Sequence, residues 1–128
     1  MAPKGTYVHA DRSDYGDDVR YDKIIRDGVV DRLVKLGDRV EFETITDNEQ
    51  ILARLISKIH EEADEYLEAS PEKKASELAD ILQLVHSIAT RDGLDMKLVE
   101  DIRQDKLVKV GGYDKGIILK RVVKGDEK

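Results

Sequence analysis

Five carboxylates in this chain are spaced to act together: Glu61, Glu62 and Glu65 in the run EEADE, then Glu77 and Asp80 in ELAD. Each run carries an acid pair at i, i+3 (Glu62 with Glu65, Glu77 with Asp80), which places two side chains on neighbouring turns of one helix surface. Two such pairs facing each other make an oxygen-rich cage for a hard divalent cation such as Mg2+, an ion that keeps several waters and is commonly shared with substrate phosphates. The pattern points to phosphate chemistry.

Two long helices must position these acids. Thr46 and Glu49 form a capping box that opens the first. Ser70 as cap with Pro71 at the first helical position opens the second, which stops at Asp92-Gly93. The link between them is so short that it predicts a tight antiparallel hairpin. At about 1.5 Å rise per residue, Glu62 and Glu77 stand at nearly the same height, roughly 12 and 10 Å from Ser70. Glu65 and Asp80 lie roughly 4–5 Å to either side of those levels, so all four can surround one point.

Glu62 adds an independent signal. The first helix carries an apolar stripe of Ile51, Leu52, Leu55, Ile56, Ile59, Ala63 and Tyr66. At about 100° per residue Glu62 projects inside that arc, with Glu65 on its border and Glu61 outside it. A carboxylate there must be paired, protonated or metal-bound, because burying an isolated charge is costly. Taken singly, each acidic run is an ordinary solvated face. The two together, at matching heights, with one acid on the apolar stripe, favour a metal site.

On the second long helix Leu78, Leu82, Val85 and Ala89 line one side, and Ile81, Leu84 and Ile88 continue the apolar arc past a half turn. One hairpin partner cannot cover so wide a face. A second subunit can, which predicts a homodimer or a dimer of dimers; a monomer covering the face with its own third helix is the alternative. That third helix is capped by Asp95 and ends at Gly111-Gly112. Upstream, Asp27 caps a short helix over residues 28 to 36, with Val29, Val30, Leu33 and Val34 buried and Gly37 ending it. Residues 39–45 and 116–123 (GIILKRVV) read as short extended segments, the latter as a terminal strand beside the former. Residues 1–20 are polar, without periodicity, and read as a flexible extension. His60 and His86 form neither HExxH nor an ExxH pair with a preceding acid, which counts against a zinc protease or di-iron bundle; His86 reads as a packed core residue.

With 128 residues and 40% hydrophobic content, the chain reads as one domain with a modest core. It has no cysteine, which excludes disulfides and thiolate metal sites. No run matches a membrane span or signal peptide, so a cytoplasmic protein with no membrane partner is expected. The formal net charge of -6 argues against binding a nucleic-acid polymer. It does not oppose a small anionic substrate, since a bound metal inverts the local field.

The acidic signature, Glu61-Glu62-x-x-Glu65 and Glu77-x-x-Asp80, resembles that of the MazG-like all-α nucleoside triphosphate pyrophosphohydrolases and the related phosphoribosyl-ATP pyrophosphohydrolases. Lys23-Ile24-Ile25-Arg26-Asp27 and the stretch Lys106 through Tyr113 (KLVKVGGY) are similar to two further segments of one MazG-like subgroup. The likeness covers roughly residues 21 to 120. It implies a mainly α, four-helix-bundle-like domain over 21–124 that cleaves nucleotides between the α- and β-phosphates, releasing a monophosphate and pyrophosphate. Carried over, Glu62, Glu65, Glu77 and Asp80 become ligands of Mg2+, with Mn2+ as a substitute. Glu61 becomes the candidate for polarising the attacking water, or a ligand of a second metal. Lys23, Arg26, Lys106 and Lys109 become candidate phosphate contacts, and Tyr113 a candidate for stacking on base or sugar.

A nucleoside triphosphate pyrophosphohydrolase that cleans the nucleotide pool is therefore the leading expectation. Phosphoribosyl-ATP hydrolysis is the alternative within enzymes, and a non-catalytic nucleotide-binding helical dimer the alternative outside them. All five acids are present, which favours activity, because a scaffold gains nothing from an acid on its apolar stripe.

Overall fold

A computed structural model of the chain describes residues 18–125; the expected extension falls mostly outside them. Among the described residues there are four helices and no strand: α1 (Val29–Lys35), α2 (Asn48–Glu68), α3 (Pro71–Arg91) and α4 (Met96–Val110). The chain divides into two compact units, Met1–Leu94 and Asp95–Lys128. The first holds the α2–α3 hairpin and the second holds α4.

Each helix stops or starts where backbone chemistry dictates. α1 is shorter than the expected helix and is preceded by Gly28 rather than capped by Asp27. It ends in a paired-bond turn: Asp38 N–H donates to the Leu33 carbonyl and Gly37 N–H to that of Val34. Gly37, at φ 95°, supplies the left-handed residue that this turn needs. Only Val29 of its four apolar positions is buried, and Val34 is exposed. The cap of α2 falls one residue later than expected, on Asp47, whose carboxylate accepts from Gln50 N–H at 3.0 Å. Asp outranks Thr as a cap because its charged oxygen is the better acceptor for the open amides. Asp47→Ala should cost about 1 kcal/mol in chemical denaturation, whereas Thr46→Ala should cost little.

α3 begins at Pro71, behind Ser70, as expected, although Ser70 makes no side-chain capping bond. Its end repeats the turn of α1, with Leu94 N–H bonded to Ala89 O and Gly93 N–H to Thr90 O. α4 is capped by Asp95 and stops at Gly111, as its sequence predicts. No residue of α4 is buried.

The hairpin has an apolar end and a charged end. Away from the connecting turn, Ile51 and Leu55 pack with Leu84, and Ile24, Ile45, Ile59 and Ile88 close around them. Towards the turn the buried stripe of α2 continues as Lys58, Glu62 and Glu65, with Glu77 buried on α3. The spacing 51, 55, 58, 62, 65 is a continuous helical seam. The expected stripe was correct at Ile51 and Leu55 but not at Ile56 and Ala63, which are exposed. Bonds tie both ends of the hairpin: Arg91 donates to Asn48 Oδ1 at one. At the other, Lys74 Nζ donates to Tyr66 O at 2.8 Å and sits over the Tyr66 ring. α2 has no basic residue in its last turn, so this lysine from α3 meets the negative end of the α2 dipole.

Neither 39–45 nor 116–123 is a strand. A β-ladder needs a partner for every other backbone amide, and alternation or β-branched content alone does not supply one. Ile117, Ile118, Leu119, Val122 and Val123 are all exposed. No helix of the described residues is long and apolar enough to cross a membrane.

Candidate metal centre

The charged end of the hairpin gathers three carboxylates from two helices. Glu62 and Glu65 on α2 and Glu77 on α3 each offer one oxygen, and those oxygens lie within 4.8 Å of one another. Glu62 is 1% exposed, and Glu65 and Glu77 are 7% exposed. Both oxygens of Glu62 and Oε2 of Glu65 are buried without a hydrogen-bond partner among the described residues. Two full charges at that separation repel by roughly 3–4 kcal/mol at an effective dielectric near 20. Nothing in apolar packing offsets such a penalty, so the cluster calls for protons or a cation.

Titration behaviour follows from this crowding. Burial pushes the Glu62 carboxyl up to about 7, helped by the charges of Asp80 and Glu77. Burial, then the Glu62 and Glu77 charges, pushes Glu65 up to about 8. Near neutral pH the cluster is therefore poised between a protonated and an ionised form. Three buried carboxylates, among which Glu62 and Glu65 carry oxygens with no hydrogen-bond partner among the described residues, fit a hard cation such as Mg2+ or Mn2+, and their lack of nitrogen or sulfur fits no soft metal.

The other acids are held by cations. Asp80 lies close enough to raise Glu62, but its Oδ1 accepts from Arg26 Nη2 at 2.7 Å. Of the four expected ligands the structure thus brings three together and places the fourth beside them in an ion pair. Glu61 lies between two lysines: Oε2 accepts from Lys58 Nζ at 3.0 Å, and Oε1 is 3.8 Å from Lys23 Nζ. Burial also lowers Lys23, against the pull of Glu61.

The segment before α1 brings these cations in. Ile24 packs on the core, Asp22 pairs with Arg54 of α2 at 3.0 Å, and Lys23 and Arg26 reach Glu61 and Asp80. The Lys23–Asp27 stretch singled out in the sequence therefore lies against the acid cluster. Comparison with protein-family models, curated proteins and solved structures finds no match for the chain. The centre accordingly rests on its own geometry.

Lys106, Lys109 and Tyr113 belong to the second unit. Lys109 pairs with Asp105 at 3.1 Å, and Tyr113 is 98% exposed. His60 and His86 are exposed; His86 is not the core residue its position on the arc suggests. Lys58 is the residue that sequence reasoning missed. It is 6% exposed, and its position three residues after Leu55 and four before Glu62 already placed it on the seam.

Proposed function

We propose that the chain is a Mg2+-dependent nucleoside triphosphate pyrophosphohydrolase, acting in the cytoplasm on surplus or non-standard nucleotides. The observation that carries the reading is the buried trio Glu62, Glu65 and Glu77, with both Glu62 oxygens lacking a hydrogen-bond partner among the described residues. Their i, i+3 and cross-hairpin arrangement is the one that the acidic signature implies. A bound Mg2+ would neutralise charge on phosphate oxygens and orient a water for in-line attack.

The chain's own residues divide the remaining work. Glu62, Glu65 and Glu77 would hold the cation, and Asp80 would be free to join them once Arg26 turned to substrate. A guanidinium suits that exchange, because its planar fork matches phosphate oxygens as well as it matches a carboxylate. Glu61, outside the trio but adjacent to it in sequence, would accept a proton from the attacking water or hold a second ion. The test is product analysis: nucleoside triphosphate should give monophosphate and pyrophosphate with Mg2+ and neither with EDTA. Release of orthophosphate alone would contradict cleavage between the α- and β-phosphates.

Assembly belongs to the same reading. Leu78 and Leu82 on α3 and Ile56 on α2 are about half exposed. A second hairpin laid across them completes a four-helix bundle, with a homodimer or dimer of dimers as the active form. Size-exclusion chromatography with light scattering should give at least twice the chain mass at micromolar concentration. A clean monomer would rule the assembly out.

A further inference from the structure

A cavity of about 120 Å³ borders Glu61, the sequence neighbour of Glu62, and is lined also by Asp22, Lys23, Ile24, Arg54, Ser57 and Lys58. On the same measure a single water needs only roughly 10–15 Å³. Three cations face two carboxylates in its lining, a positive excess in a chain whose net charge is -6. Lys58 is the unusual member. Lysine is rarely buried, yet its side chain is 6% exposed here. An ammonium offers three donors. Among the described residues one of them is used, by Glu61 Oε2 at 3.0 Å. The Ser57 hydroxyl and the Arg54 guanidinium add polar groups from the same helix.

We propose that this cavity is the polyphosphate subsite of the centre, and that Lys58 and Lys23 are handed from Glu61 to phosphate oxygens when substrate enters. The inference rests on the hydrolase reading for its role but not for its test. Among the described residues Glu61 is the acceptor for Lys58, at 3.0 Å, and its other oxygen lies 3.8 Å from Lys23, so both of its oxygens are engaged by ammonium groups. A phosphate chain carries more charge and more acceptors than one carboxylate, and it displaces Glu61 from them. Glu61 is then released beside the metal ligands only when substrate is present. Its adjacency to Glu62 in the chain makes that release local, since no backbone movement is needed. The arrangement couples occupancy of the phosphate tail to completion of the acid set.

The test uses inorganic pyrophosphate and full-length protein in EDTA, followed by calorimetric titration. Lys58→Met should weaken pyrophosphate binding about tenfold or more, the loss of a charge-assisted bond. Lys23→Met should weaken it too, and it guards against misfolding of the buried variant, which circular dichroism checks. Glu61→Gln should strengthen binding several-fold, because the competing carboxylate is gone. Lys97→Met, on an exposed lysine already paired with Asp101, should change nothing. Unchanged affinity in both Lys58→Met and Lys23→Met would overturn the subsite, and weaker binding in Glu61→Gln would overturn the handover. Failure of the hydrolase reading looks different: pyrophosphate would still bind with these dependences while no nucleotide is turned over.

Discussion

Glu62→Gln should abolish turnover and leave the metal-free protein as stable as the parent or more so. The two effects share a cause. Among the described residues Glu62 is the most deeply buried acid, and its two oxygens have no hydrogen-bond partner there. Gln keeps the shape and removes the charge that repels Asp80, Glu77 and Glu65. Relief of about 1–2 kcal/mol would raise the melting temperature by roughly 4 °C per kcal/mol in a chain of this length. Catalysis loses far more, because several kcal/mol of charge stabilisation at 1.36 kcal/mol per decade is on the order of a thousandfold. Steady-state assays with a melting curve in EDTA check both halves. Loss of activity accompanied by unfolding would make Glu62 a structural residue instead.

The metal-free protein should lose stability as pH rises, the reverse of the usual acid denaturation. Glu62 and Glu65 are raised to about 7 and about 8, above the ordinary 4.5. Between those values the folded chain holds protons that the unfolded chain has released. Stability from this pair is therefore complete below about 4.5 and is lost as pH climbs through 7 to 8. Mg2+ and Mn2+ act in the opposite sense, since they bind the ionised cluster and stabilise the folded state by mass action. Melting curves at pH 5 and pH 8.5 should thus show a falling temperature in EDTA, and a metal-induced rise that is large at the higher pH and small at the lower. Glu62→Gln should flatten both trends. A metal-free melting temperature that rises across this window would contradict the arrangement of the cluster.

What could be read from the residues was governed by local chemistry. Glycines after apolar runs, Asp95, and Pro71 behind Ser70 marked helix ends, because backbone amides and carbonyls there need specific partners. The acid spacing was legible because helix rise and a short turn determine height along a hairpin. The misreadings depended on partners distant in sequence. The apolar run 116–123 suggests a strand, but no neighbouring ladder accepts it among the described residues. Arg26 meets Asp80 across more than fifty residues, a pairing that periodicity does not reveal. Ile56, Ala63 and His86 were assigned to a core whose width periodicity overstates, because a single partner helix covers a narrow seam. Lys58 lies on that seam too, but a lysine on an apolar stripe ordinarily sends its ammonium out to water, so spacing alone does not mark it as buried.

The measurement that bears most directly on the cage is a Mn2+ titration followed by electron paramagnetic resonance at pH 8, in which free ion gives the signal and bound ion does not. Wild-type protein should remove Mn2+ from solution saturably, Mg2+ should compete it off, and Glu62→Gln should bind far more weakly. Equal binding by wild type and Glu62→Gln, or none by either in folded protein, would contradict a cation site built on Glu62, Glu65 and Glu77.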